Sequence, residues 1–287
     1  MEALVLLNVI MNEELVWLKT SLFADQSEWH NVLDDGIKVF LADSRNKAEA
    51  KNWQLCFNYL NGDNIRFSVQ TEAKVSEQFA KRIDDFFGLF FLRYKKEKKE
   101  IKPSLTRIFL PPPKNSILYG LYVAPISAGH NIEISSKLSH YIMSSLRDDT
   151  IDEESLMTLA FYFQAALIIE FRKNHSCHFL NTTSYQYNSA SIMEDSLRQS
   201  FLTERHVKSQ TVLQEIIQSI NDHSEFDNTL YWLKAWINDC GAFAARASKE
   251  NEKKTFVDIR NLINQQLGLT PNMIKLLYYF INQELFI

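Results

Sequence analysis

Seven glycines, at positions 36, 62, 88, 120, 129, 241 and 268 of 287, never fall closer than nine residues to one another. Glycine-rich phosphate loops therefore cannot be built, because GxGxxG, the P-loop and the GxSxG nucleophile elbow each need several glycines within a short stretch. Dinucleotide-binding, P-loop NTPase and serine-hydrolase architectures are excluded on that ground, and HExxH is absent too. No cofactor is expected.

A chain this long is expected to make one large domain or two modest ones. It can hide roughly three quarters of its unfolded surface, and 46% apolar residues supply the core. Charge sums to 31 minus 35, or −4, so no global positive field draws in nucleic acid, and direct nucleic-acid binding is not expected. Cys56, Cys177 and Cys240 lie far apart with no CxxC pair, which argues against a disulfide framework or structural zinc and for a reducing cytoplasm. Met1 to Met11 is apolar but carries Glu2 and no Lys or Arg, so it reads as a buried strand rather than a secretory signal. The longest apolar run, Leu156 to Ile169, is shorter than the roughly 20 residues of a membrane helix. It reads as a core helix, and no membrane association is expected.

The pattern predicts an α+β protein, with residues 1–125 forming a mixed strand and helix subdomain and 126–287 a mostly helical one, together a single continuous domain. Leu4–Ile10 and Trp17–Phe23 read as strands and Trp29–Ala50 as mostly helical. Gln54–Leu60 and Asn64–Val69 alternate apolar and polar residues around the turn residues Asn61, Gly62 and Asp63, the mark of a β-hairpin. A three-residue loop would put Leu55, Phe57, Tyr59, Ile65, Phe67 and Val69 on one face and Cys56, Asn58, Asn64, Arg66 and Ser68 on the other, with Asn58 beside Arg66. Thr71–Phe87 has helical spacing, with Gly88 placed to end it. Arg93 to Lys102 holds six basic and two acidic residues, either a solvated linker or a patch for an acidic partner. Thr150 and Glu153 form a capping box before the Leu156–Phe171 helix. Further helical stripes run through Val212–Ile220, Leu233–Ala244 and Phe256–Ile263; Gly268 stops the last of these and Thr270-Pro271 starts a final helix.

Few residue groups suggest chemistry. His175, Cys177 and His178 are too close in sequence to share one ion comfortably, and no second pair completes a site, so no metal is expected. His130 precedes a helix carrying Glu133, which fits either an acid–base pair or an ordinary helix start. Arg66, on a hairpin strand, demands a carboxylate, phosphate or polar substrate as partner, or else a structural ion pair.

Trp53-Gln-Leu-Cys-Phe-Asn58-Tyr59 through Asn64-Ile-Arg66-Phe67 resembles a strand–turn–strand of the C-terminal, glutamate-elimination domain of lantibiotic dehydratases, a domain type that also occurs in thiopeptide pyridine-forming cyclases. Leu110 to Gly120 resembles that family's Tyr-x-Pro-Glu-x-x-Arg-Tyr-Gly-Gly segment, Ser135-Ser136 its paired Asp/Ser-Ser, and Asn272-Met273, with Glu284 downstream, its His-Met region. The family's basic residues are replaced by Asn58, Leu118 and Asn272, and only Arg66 persists, beside Ser68. The resemblance implies maturation of a ribosomally made peptide on glutamylated or dehydrated Ser and Thr, by lyase-type glutamate elimination or by dehydroalanine cyclisation. It implies Arg66, Tyr59 and Tyr119 as catalytic residues and Asn58, Asn64, His130 and Asn272 as substrate-binding ones. The partners it implies are a precursor peptide with its leader and a separate glutamylating dehydratase subunit, and its alternative is a non-catalytic peptide-binding protein. Elimination needs a base, an oxyanion donor and a cation for the departing carboxylates, and Asn and Leu supply neither a base nor a cation.

Overall fold

The computed structural model describes residues 14–59, 62–93, 112–120, 130–146, 151–174, 217–218, 220 and 231–285. The predicted Leu4–Ile10 strand, the Val212–Ile220 stripe apart from single positions, most of the basic segment after Arg93, Thr150 of the capping box, and His175, Cys177 and His178 lie outside these residues. The chain divides into two units, Met1–Ser139 with Leu146–Asp152 and His140–Ser145 with Glu153–Ile287.

The first unit is built on strands β1 (Leu15–Phe23), β2 (Asn52–Asn58), β3 (Asn64–Glu72) and β4 (Ser116–Tyr119), forming an antiparallel sheet in the order β2-β3-β1-β4. The α+β expectation holds. Between β1 and β2 the chain is helical as predicted: a 3-10 turn Gln26–Glu28, an α turn Trp29–Asn31, a π segment Val32–Lys38 and an α turn Val39–Ala42 make helix α1, and Ser44–Glu49 makes α2. Asp43 separates the two and caps α2, its carboxylate accepting from the backbone N–H groups of Arg45 and Asn46 at 3.0 and 3.1 Å, the geometry that satisfies orphan donors at a helix start.

Period-2 alternation gives the sheet its two faces. Leu55, Phe57, Ile65, Phe67 and Leu22 are fully buried on the face covered by α1 and by α3 (Ala73–Arg93). Phe40 of α1 meets Phe67 edge-on with centroids 6.2 Å apart, Phe79 at 5.7 Å and Phe87 at 5.7 Å, spacings typical of attractive aromatic pairs. Gly36, in the π segment, lies where a Cβ would stand 3.1 Å from Phe87 Cε1; a residue without a side chain lets α1 come this close to α3.

Two expectations are corrected here. Asn58 pairs with Asn64 and Cys56 with Arg66, so the hairpin register is offset by two residues from the predicted three-residue loop. Both face sets survive, because an offset of two preserves parity, but Arg66 is directly opposite Cys56 and only diagonal to Asn58. Gly88 does not end α3, which continues to Arg93. Ile83, Phe87, Phe90 and Phe91 follow one another at helical spacing and are all buried. Burying two further phenylalanines, at about 1.5–3 kcal/mol each, outweighs a mid-helix glycine penalty of about 1 kcal/mol. A Cβ at Gly88 would meet nothing within 4 Å, so Gly88→Ala is expected to stabilise the protein by about 0.5–1 kcal/mol, read as a raised midpoint in urea unfolding.

In the second unit the central helix α5 (Glu153–Asn174) is covered by α6 (Tyr231–Arg246), α7 (Glu252–Gln266) and α8 (Pro271–Leu285). Helix α4 (His130–Ser145) begins in the first unit and ends in the second. By length and composition α5 could cross a membrane, yet 72% of its apolar window is buried inside the protein, as a core helix requires. Trp236 Nε1 donates to the Phe163 carbonyl at 3.0 Å, with the rings edge to face at 5.3 Å. The predicted stripe Leu233, Trp236, Ile237, Cys240, Phe243 and Ala244 is buried throughout. Helix α7 closes in a Schellman motif, Leu269 N–H to Asn264 O at 2.9 Å and Gly268 N–H to Gln265 O at 3.1 Å, with Gly268 at φ 64°, the conformation glycine adopts without strain. Thr270 Oγ1 then accepts from Met273 N–H at 3.3 Å and Pro271 opens α8.

Candidate functional site

The sheet face opposite the aromatic core is polar and largely buried. Register places Gln54, Ser68 and Lys19 in one row, Cys56, Arg66, Ser21 and Leu118 in the next, and Asn58, Asn64, Phe23 and Ser116 in a third. Residues directly opposite across antiparallel strands point to the same side. Gln54, Asn64 and Ser68 are each 2% exposed, Ser21 1% and Asn58 8%. Desolvating so many amides and hydroxyls is unfavourable unless each finds a hydrogen-bond partner, and on this face Gln54 Oε1 and Nε2 and Asn64 Oδ1 have none within the fold.

Arg66 sits mid-face on β3, half-buried, between Cys56 on β2 and Ser21 on β1. Asn58 and Leu118 are on the same face as Arg66; Leu118 shares its row two strands away, about 9–10 Å at the usual strand spacing. Asn64 fixes the hairpin end: its Nδ2 donates to Gly62 O at 2.7 Å, and Gly62 holds φ 106°. Beyond the edge strand β2, Ser139 Oγ of α4 accepts from Leu55 N–H at 2.9 Å, occupying a backbone donor that an exposed sheet edge would leave open to pairing.

Asn58, Asn64 and Arg66 are thus brought to one face, while Tyr59 and Tyr119 belong to the other. The Tyr59 ring lies 5.1 Å from that of Trp29, and its hydroxyl accepts from Gln26 Nε2 at 3.4 Å. The Tyr119 hydroxyl is 2.9 Å from Asp84 Oδ1 and 3.1 Å from Ala80 O of α3, which tethers β4 to that helix. Burial first, and then the Asp84 carboxylate, push the Tyr119 phenol well above its ordinary range, so it stays a hydrogen-bond donor. His130 is the first residue of α4, and Glu133 in its first turn pairs with Lys137 at 3.2 Å. Asn272 is exposed in the first turn of α8, in the second unit.

Burial pushes the Cys56 thiol up to about 12, against the pull of the neighbouring Arg66 charge. It is therefore a protonated, inert side chain at neutral pH, not a nucleophile. Among the described residues no cluster of three His, Cys, Asp or Glu could hold a metal ion. Sequence reasoning singled out Asn58, Asn64, Arg66 and Ser68 but passed over Gln54, Lys19 and Ser21. The same alternation that selected Cys56 and Asn58 also selects Gln54, while Lys19 and Ser21 become neighbours only through the β1–β3 pairing. Chemically, the face offers amides, hydroxyls, a guanidinium and an ammonium, suited to hold a polar chain and a carboxylate or oxyanion.

No protein-family model matches the chain, and no curated protein sequence does. In overall fold it is similar to the solved pyridine synthase TbtD from thiomuracin biosynthesis, with a TM-score of 0.59 and 13% identity over 93% of this chain and 98% of that one. It is also similar to TsrL, with a TM-score of 0.53 and 11% identity over 94% of each chain. At such identities what is shared is the fold, and it is shared along nearly the full length of each chain.

Proposed function

We propose that this chain acts in the maturation of a ribosomally made peptide, on a substrate bearing dehydrated Ser or Thr, and that its reaction is the joining of two dehydroalanines rather than the elimination of glutamate. The observation that carries this is the buried polar face around Arg66, set in a fold like that of a pyridine synthase over almost its whole length. Elimination calls for bases and cations where this chain has Asn58, Leu118 and Asn272. Cyclisation calls mainly for two reacting groups held in contact, and positioning alone can supply a large part of a rate enhancement, about 7–11 kcal/mol in the best cases.

In this account Asn58, Asn64 and Ser68 hold the peptide and Arg66 stabilises negative charge on a substrate carboxylate or carbonyl oxygen. Tyr119, tied to Asp84, acts as a positioning residue for β4. A precursor peptide with its leader is the substrate partner, and a separate dehydratase would supply the dehydroalanines.

The test is incubation of the purified protein with a synthetic leader-bearing peptide that carries two dehydroalanines. Remaining dehydroalanines are counted by thiol addition and mass spectrometry, and a new aromatic ring by its ultraviolet absorption. Loss of both dehydroalanines with ring formation is expected, the cycloadduct becoming aromatic without an oxidant by shedding one water and releasing the leader as its C-terminal amide. Retention of the peptide without consumption would favour a recruiting role for this fold, a reading to which the replaced charges at Asn58 and Leu118 also lend weight. No binding and no consumption would remove the proposal.

A further inference from the structure

Burial along β1 changes where its partner on one side ends. β4 pairs with Thr20–Phe23, and those four residues are buried; Leu15 to Lys19, past the end of β4, are exposed or half-buried, with Leu15 43% exposed. Gly120 N–H donates to Lys19 O at 3.0 Å, and Gly120 itself takes φ 71°, outside the extended range of a strand. Backbone groups alternate sides along a strand. With Lys19 O turned to β4, the N–H and C=O of Leu15 and Trp17 point the same way, and among the described residues nothing bonds them. Val16 and Leu18 turn theirs inward, to Thr71 and Val69 of β3. At the opposite edge of the sheet the outward donor of Leu55 is taken by Ser139.

An edge reading Leu-Val-Trp-Leu is one that sheets normally cover or interrupt with charge, because it pairs readily with another extended chain. The geometry points to Leu15–Leu18 as a strand-addition site for the precursor peptide. This rests on the peptide-maturation reading above and adds a binding site to it. Main-chain bonds to Leu15 and Trp17 hold the added strand whatever its sequence, and side chains on alternate positions select it. Trp17 and Lys19 stand on one face, two residues apart, and Arg66 on β3 is diagonal to Lys19. Lys19 is half-buried and makes no ion pair among the described residues. An acidic side chain of the added strand opposite Trp17 lies diagonal to Lys19, about 7–8 Å away and within reach of a long side chain. The occupant is therefore an extended peptide with an acidic residue on that face. A second copy of the same Leu-Val-Trp-Leu edge offers Lys19 no acid.

The test is amide hydrogen exchange, read residue by residue by mass spectrometry, on the full chain with and without the leader-bearing two-dehydroalanine peptide. In the free protein Leu15 and Trp17 are expected to exchange at least about tenfold faster than Val16 and Leu18, and to slow at least about tenfold when the peptide is added. Leu15→Pro removes one outward N–H and no bond to β3. Its Tm is expected to stay, while its Kd for the fluorophore-labelled peptide rises about 3–10-fold. Lys19→Glu is expected to raise Kd about tenfold for a peptide with acidic residues. Slow exchange of Leu15 and Trp17 in the free protein would mean that this chain covers its own edge, and would overturn the inference. Slowing that follows protein concentration rather than peptide would mark a second copy and overturn it too. Wild-type binding without protection of these amides, or with Kd unchanged in both variants, would overturn it and leave the functional reading standing. Failure of the wild-type protein to bind or consume the peptide overturns the reading and the inference together.

Discussion

Arg66→Ala is expected to slow consumption of the dehydroalanine peptide by about 10²–10³-fold, the usual loss on removing one donor aimed at developing negative charge. The guanidinium occupies the middle of the polar face, flanked by Cys56 and Ser21 and diagonal to Asn58 and Gln54. Arg66→Lys is expected to recover little, because an ammonium cannot reproduce the planar, two-pronged donor geometry. The residue is half-buried rather than part of the aromatic core, so the Tm of the alanine variant should move little compared with its rate. Single-turnover mass spectrometry beside thermal unfolding separates the two effects. Unchanged turnover would remove Arg66 from the site.

Phe87→Ala has the largest expected effect on stability, a loss of about 3–5 kcal/mol as for other large-to-small core truncations. Phe87 is 0% exposed and its ring neighbours Phe40, Phe67, Phe86, Phe90 and Phe91 at 5.1 to 6.4 Å. It joins α1, α3 and the sheet at one point, where Gly36 makes its closest approach. Truncation leaves a void bordered by rigid rings that cannot collapse into it, and interiors packed at crystal density respond to lost volume. Urea unfolding followed by tryptophan fluorescence should show a lower midpoint. A loss below about 1 kcal/mol would mean that the aromatic cluster is looser than these distances imply.

Much of the fold was legible locally. Alternation in Gln54–Leu60 and Asn64–Val69 identified both strands and sorted their residues to the right faces. The 3.6-residue stripes at Leu233–Ala244 and Phe256–Ile263, the stop at Gly268 and the Thr270-Pro271 start each rest on interactions within a few residues of chain. The faces were legible: Asn58, Asn64 and Arg66 share one and Tyr59 takes the other as strand alternation expects, whereas the place of Tyr119 opposite Leu118 came from the pairing of β4 with β1. In a strand, adjacency in sequence means opposition in space, so motif neighbours cannot both line one wall of a site.

By itself the sequence determined the exclusions that follow from scattered glycines, the parity of each strand and the apolar stripe of each helix, because these depend on steric and hydrophobic periodicity over one or two turns. Only the tertiary structure decided the hairpin offset, the passage of α3 through Gly88 and the burial of the polar face. The first arises because offsets differing by two leave the same side chains facing the core, so the choice falls to the pairing of β3 with β1 as well as with β2. The second arises because Phe90 and Phe91 find burial beyond the glycine. The third turns Gln54 from an ordinary surface amide into an unsatisfied buried one, a change that depends on what packs against the sheet and leaves no local trace in the chain.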